Sequence, residues 1–127
     1  MNTPCPFCEL GPDRIVAENS LAIAILDNYP VSAGHTLVVP REHKASLFDL
    51  SAQSQAAIWQ LVGEVRHDLN LKLTATGFNI GLNDGRSGGQ TVMHAHVHVI
   101  PRYKDDVPDP RGGIRWVIPD KAKYWTK

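Results

Sequence analysis

The chain changes its hydrophobic period several times, and each change marks an element. Residues 14–27, "RIVAENSLAIAILD", hold two short apolar runs separated by Glu18, Asn19 and Ser20, whose turn preference predicts a hairpin of two strands. In "YPVSAGHTLVVPREH", Pro30 and Gly34 punctuate a loop, "HTLVVP" reads as a short buried strand, and Pro40 ends it. From Ser51 the period lengthens. Ile58, Leu61, Val62, Val65 and Leu69 recur at three- and four-residue spacing, with Gln53, Gln55, Gln60, Glu64, Arg66 and Asp68 on the other side, so an amphipathic helix is predicted. Ser51 is its N-cap, and Gly77 lies past its end. Gly63, in the middle, costs ~1 kcal/mol against Ala, which points to close packing there.

"TGFNIGLN" then reads as a strand, "DGRSGGQ" as a loop and "TVMHAHVHVIPR" as a strand stopped by Pro101. The order of elements predicts an α+β domain: an antiparallel β-sheet with one long helix and a short helix packed on it. No linker divides the chain. Residues 1–103 form the domain proper and residues 104–127, rich in Pro, Gly and charge, an irregular C-terminal arm of it.

Composition narrows the function classes. At 127 residues, 43% hydrophobic and 20% charged, the chain fits one soluble domain. No apolar stretch approaches the ~18 residues of a membrane span. The first residues, "MNTPCPFCEL", lack a basic segment followed by an apolar one, so a cytoplasmic protein is expected. Thirteen basic and thirteen acidic side chains balance overall, but residues 102–127 carry seven basic against four acidic. This bias suits a phosphate-bearing ligand or a solvated surface, and is too small for a dedicated nucleic-acid binder.

The candidate chemistry lies in "QTVMHAHVHVIPR". Three of the six histidines, His94, His96 and His98, alternate with apolar residues. On a strand they share one face, while Ala95, Val97 and Val99 share the other. One face is core and the other a site. Imidazoles two residues apart reach one zinc comfortably only in pairs, so three on one metal is awkward. Alternatively, a neutral imidazole can attack phosphorus and form a covalent phosphoramidate that water later hydrolyses. The preceding loop offers donors for phosphate oxygens: Asn83, Gln90 and Thr91 by side chain, and Gly85, Gly88 and Gly89 by a backbone free to form an anion-binding nest.

"HAHVHVIP" matches the H-x-H-x-H pattern of the histidine-triad nucleotide hydrolases and transferases. "GLNDGRSGGQTVMHAHVHVIPR" resembles that family's signature region, and "AILDNYPVSAGHTLVVPREH" its nucleoside-binding strand and turn. The resemblance spans roughly residues 5–103. It implies that His96 is the nucleophile toward the α-phosphorus of a purine nucleotide and that His98 holds phosphate oxygens. It further implies that Gln90, Asn83 and Gly89 bind or position the phosphate, that Thr91 sits near the leaving group, and that Asp27 takes the ribose hydroxyls. His35, on the adjoining strand, would support the site or the fold. An apolar base pocket is expected from Phe7, Ile15, Ile25 and Leu26. The resembled family is usually a two-fold homodimer, in which Arg111, Arg115 and Trp116 of the arm would strap the surface or reach toward the partner's cleft.

Cys5 and Cys8 stand in C-x-x-C spacing without the strand and helix that redox pairs need. A tetrahedral zinc needs two more ligands, for which His43 and His94 are candidates. One branch of the resembled family holds zinc in this manner. The ion would be structural and would leave His96 and His98 for phosphate. The alternative is a pair of unliganded thiols.

Three functions are thus in play. The first is hydrolysis at the α-phosphorus of a dinucleoside polyphosphate, such as diadenosine tetraphosphate, or of a nucleoside phosphoramidate. The second is a nucleotide-binding or sensing scaffold with little turnover. The third is a hydrolase using zinc-bound water, which requires an open coordination position.

Overall fold

The computed structural model describes residues 5–126. Strands β1 (Ile15–Glu18), β2 (Ala22–Leu26) and β3 (Thr36–Pro40) precede helix α1 (Ala52–Lys72), which is followed by β4 (Gly77–Gly81) and β5 (Val97–Arg102). The five strands form one antiparallel sheet in the order β1-β2-β3-β5-β4. The β1–β2 turn is held by Asn19, whose Oδ1 accepts from the backbone N–H groups of Leu21 and Ala22 at 3.0 and 2.8 Å. Such a side-chain turn is what Asn supplies where the chain must reverse.

Helix α1 begins where predicted. The Ser51 hydroxyl accepts from Ser54 N–H at 3.1 Å, satisfying one of the orphan donors of the first turn. Its inner stripe, Ile58, Leu61, Val62 and Val65, packs with Leu69 onto Ala22, Ala24, Val38, Ala95, Val97 and Val99. The predicted short helix is a 3-10 turn, Leu47–Asp49, that buries Leu47 in this core. The reading of Gly63 does not hold: an added Cβ would meet nothing within 4 Å, so no close approach within the chain explains the glycine.

The opposite sheet face carries Ile23, Ile25, Leu37 and Val39, covered in part by Phe7, Leu10 and Ile15. β2 and β3 are thus apolar on both faces. Small alanines meet the helix and larger aliphatics build the floor of the second face.

The final strand is shorter than its sequence pattern. β4 ends at Gly81 opposite His98, and the β3 ladder ends at Val38 opposite Val97, so residues 91–96 have no strand to pair with on either side. They run along the sheet's end, tied by Ala95 N–H to the Lys44 carbonyl at 2.8 Å. Only His98 of the three histidines lies in the ladder. The alternation nonetheless persists: Ala95, Val97 and Val99 enter the helix-side core, while His96 and His98 are half-exposed.

The arm after Arg102 folds on itself through two 3-10 segments, Gly113–Val117 and Pro119–Lys121. Arg102 donates to Asp106 through two nitrogens, each at 2.8 Å, and to Asn79 Oδ1 at 2.6 Å, which fixes where the arm departs. Within the chain, the three arm residues singled out in the sequence bind the arm itself, as a surface strap would. Arg111 pairs with Asp109 and lies over Trp125, Arg115 donates to the Lys121 and Ala122 carbonyls, and Trp116 Nε1–H donates to the Arg111 carbonyl.

Candidate active site and metal cluster

Register places the site. Ile15, Ile25, Leu37 and His98 are successive Cα partners across β1, β2, β3 and β5. At ~4.8 Å between strands, His98 stands about 14 Å from the β1 end of this row. Above it lies a cavity of ≈ 440 Å³, a size that accepts a small-molecule ligand. Phe7, Arg14, Ile25, Leu26 and Leu37 give it an apolar wall, and Asn83, Gly89, Thr91, His96, His98, Asp27 and His35 its polar wall, with Phe7 beside His96 and Leu37 opposite His98. A second hollow of ≈ 600 Å³, farther along β5 at Ile100 and Arg102 and under the arm, has no histidine, cysteine, serine or threonine among the described residues of its walls.

Hydrogen bonds fix the tautomers. His96 Nδ1 lies 2.9 Å from the His94 carbonyl, which only accepts, so this nitrogen carries the proton and Nε2 carries the lone pair. Val31 N–H donates to His35 Nδ1 at 3.2 Å, which puts the His35 proton on Nε2, and this donates to His98 Nδ1 at 2.9 Å. His98 is then left with an Nε2–H donor. Burial lowers the His98 pKa to about 4, assisted by His96 and His35 and opposed by Asp27. His35 is lowered as well, by burial against the opposing charge of Asp27. The site therefore sets a neutral donor, His98, beside the His96 ring.

Asp27 Oδ1 accepts from Tyr29 N–H at 2.8 Å, and Oδ2 lies 3.4 Å from His35 Nε2, so the carboxylate is oriented where it faces the cavity. Gln90 departs from expectation. It is buried, its Nε2 donates to the Ala45 and Val92 carbonyls at 2.7 and 3.0 Å, and its Oε1 accepts from Gly85 N–H at 2.9 Å. With both amide hydrogens donated to backbone carbonyls, Gln90 ties the loop of residues 85–92 and has no donor left for a ligand. The expected backbone nest is also spent, because Gly88 N–H donates to Gly85, Gly89 N–H to Arg86 and Gln90 N–H to Gly85. Gly85 and Gly89 instead serve as left-handed corners, at φ 81° and 96°. Ile15 packs behind the base end without lining it. Arg14 does line it, and the sequence marked it only by its place beside Ile15.

The metal prediction converges on one point. Ligand atoms of Cys5, Cys8, His43 and His94 lie within 4.8 Å of one another. His94 Nδ1 is 3.5 Å from Cys5 Sγ, 3.6 Å from Cys8 Sγ and 3.1 Å from His43 Nδ1, and Cys8 Sγ is 3.2 Å from His43 Nδ1. Tetrahedral zinc with Zn–N of ~2.0–2.1 Å and Zn–S of ~2.3 Å requires about 3.3 Å between two nitrogens and about 3.6 Å between nitrogen and sulfur. The residues fit. His94 Nε2–H donates to the Pro40 carbonyl at 2.8 Å, leaving Nδ1 as a lone pair aimed at the cluster, the usual outer support of a metal-binding imidazole. Burial lowers its pKa, which further favours the neutral ring a metal needs. Four side-chain donors make the set closed.

Comparison with known proteins agrees with this geometry. The HIT domain family model matches residues 10–105. The chain is 37% identical to adenosine 5'-monophosphoramidase hnt1 of Schizosaccharomyces pombe, over 80% of this chain and 77% of that protein. It is 29% identical to the adenylylsulfatase HINT3 of Arabidopsis thaliana, over 84% of this chain and 56% of that one. A solved Zn-bound histidine triad family protein from Mycobacterium smegmatis superposes with a TM-score of 0.69 at 34% identity, covering 78% of this chain and 76% of the other. The sheet, the triad and these relatives together establish that the chain belongs to the HIT, or histidine-triad, family.

Proposed function

We propose that this protein is a purine nucleotide hydrolase that cleaves nucleoside 5'-phosphoramidates through a nucleotidyl-His96 intermediate. The observation that carries the proposal is the His96 tautomer: the His94 carbonyl holds the Nδ1 proton, so the Nε2 lone pair is available at the phosphate end of the cavity. In the first step Nε2 bonds to the α-phosphorus and the phosphorus–nitrogen bond of the substrate breaks, its amine leaving with a proton from solvent. Water then attacks the same phosphorus, returning a proton to solvent, and His96 departs with its Nδ1 proton still held. His98 Nε2–H donates to a non-bridging oxygen as charge gathers there. Asn83, Gly89 and Thr91 surround the phosphate, Asp27 accepts from the ribose hydroxyls, and Phe7, Ile25 and Leu26 form the base wall.

Among the described residues, the single Lys or Arg of the cavity wall is Arg14, beside Ile15 and three strands away from His98. A phosphate met only by neutral donors favours an uncharged leaving group over a polyphosphate tail, whose charges would lack partners. The phosphoramidase name of the Schizosaccharomyces relative supports the same choice. Dinucleoside polyphosphate hydrolysis remains the second reading, since the nucleophile would serve it equally.

The Cys5, Cys8, His43 and His94 set is proposed to hold one structural zinc, which would tie the N-terminal segment to the sheet. The fully occupied donor set supports this over a metal-bound water. A two-fold homodimer is proposed as well, supported by β4, an edge strand with unpaired backbone groups. Among the described residues no helix is long and apolar enough to cross a membrane, and a cytoplasmic location is proposed.

The deciding experiment quenches a reaction with adenosine 5'-phosphoramidate and maps the nucleotidyl adduct. The parent should carry it on His96. His96→Ala should lose turnover while AMP affinity stays within about tenfold, because the nucleophile acts mainly in the transition state. Turnover by His96→Ala at the parent rate overturns the proposal, and nucleotide binding without turnover by the parent favours the scaffold function. Comparing kcat/KM for phosphoramidates and dinucleoside polyphosphates fixes the leaving group.

A further inference from the structure

Phe7 is the residue at which the two halves of the site meet. Its ring centroid lies 5.7 Å from that of the cluster ligand His94, at 88°, and 5.2 Å from that of His96, at 61°. It also lines the nucleotide cavity. Both contacts are edge-to-face, the preferred geometry of aromatic pairs. His96 is otherwise held by one hydrogen bond to a carbonyl two residues back and by the His98 ring at 5.3 Å. Its remaining side faces the open cavity. Phe7 therefore closes the nucleophile's own pocket.

What holds Phe7 is equally narrow. Residues 5–11 belong to no strand, and among the described residues the turn around Phe7 has one backbone hydrogen bond, Cys8 N–H to the Cys5 carbonyl at 3.2 Å. The two residues closing that turn are the cluster's cysteines, placed against His43 and His94. Apart from the contacts of Phe7 and Leu10 with the apolar floor, this cluster fixes the turn to the body.

Building on the proposed function, we infer that Phe7 is a positioning residue through which the Cys5–Cys8–His43–His94 cluster sets the orientation of the His96 ring. A metal closing the cluster would lock the turn, and the turn would press the Phe7 ring onto His96. Opening the cluster would release Phe7 and let the imidazole swing, although no ligand of the cluster touches the substrate.

The test uses the full zinc-loaded chain and the variants Phe7→Ala, Phe7→Tyr and Cys8→Ser. Phe7→Ala should lower kcat about ten- to a hundredfold, the range that a small misplacement of a reacting group costs. AMP affinity, read by titration, should weaken by a smaller factor than kcat falls, since Phe7 is one of several apolar side chains at the base wall, and bound zinc should stay at the parent ratio. Phe7→Tyr, which keeps the ring edge, should restore kcat. Adding Phe7→Ala to Cys8→Ser should lower kcat no further than Cys8→Ser alone, the non-additivity expected of one pathway.

A base-wall role alone would raise KM and weaken AMP binding with kcat unchanged, and that result overturns the inference, as does additivity in the double variant. Nitrogen-15 spectra of the histidine rings give a readout independent of turnover. In Phe7→Ala the His96 nitrogens should lose the single protonated-Nδ1 pattern while the His98 signals persist. Unchanged His96 signals overturn the inference even if Phe7→Ala is slow. A parent protein that turns over no nucleotide defeats the proposed function, and these spectra then decide the Phe7 contact by themselves. If Phe7→Ala does not fold, Phe7→Leu, which keeps bulk but lacks the ring edge, takes its place in each comparison.

Discussion

His35 and His98 are joined ring nitrogen to ring nitrogen at 2.9 Å, and the proton between them belongs to His35. Its ownership follows from the Val31 N–H, which occupies the other His35 nitrogen. A backbone amide on one loop thereby decides which nitrogen of a histidine on another strand presents a hydrogen to the cavity.

His35→Ala should therefore behave as a weakened His98 variant. Without the His35 donor, the His98 ring is free to turn over or move its proton to Nδ1. We expect kcat and kcat/KM to fall together by about tenfold, the pattern of an interaction made in the transition state. In the double variant with His98→Ala the losses should not add. An undiminished kcat for His35→Ala would show that the tautomer is held by other means.

The same two rings make stability depend on pH in a known direction. Both have pKa values lowered by burial, His98 from 6.5 to about 4, with His96 and His35 reinforcing and Asp27 opposing at His98. Below 6.5 the unfolded chain takes up protons that the folded chain refuses. Stability is thus complete above the ordinary histidine value and declines as the pH falls from 6.5 toward 4. Denaturant midpoints at pH 7.5, 6 and 5 should decrease in that order. Replacing both rings, by His35→Gln with His98→Gln, should make the dependence shallower, leaving the part contributed by the buried His94.

For the metal, the expected ratio is one zinc per chain by elemental analysis, falling to none in Cys8→Ser. Because ligands gathered only in the folded state convert binding into folding energy, chelation should lower the thermal midpoint and added zinc restore it. Zinc bound at a ratio unchanged by Cys8→Ser would place the ion elsewhere.

Side-chain identities were legible in the sequence wherever chemistry selects the residue type. Period alone located α1, and the C-x-x-C spacing of Cys5 and Cys8, with the family resemblance that added His43 and His94, anticipated a cluster that the fold assembles. The triad's alternation survives although residues 91–96 leave the ladder. What the sequence hid was every decision made by a backbone carbonyl or amide. The His94 carbonyl sets the His96 tautomer, the Pro40 carbonyl turns His94 to the cluster, and Val31 N–H orients His35. Any residue type offers these groups, so no pattern of letters reveals them. Gln90 failed for the same reason: its polar head suits phosphate, but nearby carbonyls occupy it.

Gln90 accordingly yields the sharpest distinction between binding and positioning. Its amide ties three separate backbone points, Gly85, Ala45 and Val92, while leaving no donor for a ligand. Gln90→Leu preserves much of the bulk but strands a buried N–H and two carbonyls, a loss of ~1–3 kcal/mol in stability. The loop it secures carries Asn83, Gly89 and Thr91 of the cavity wall, so KM should rise along with any fall in kcat. Gln90→Glu separates the alternatives. A carboxylate keeps the acceptor for Gly85 N–H but opposes the two carbonyls, so it should destabilise the fold at least as much as Leu does. If Gln90 bound phosphate directly, Glu would instead spare stability and weaken AMP binding by charge repulsion. Measuring the thermal midpoint and AMP affinity of both variants tells the two roles apart.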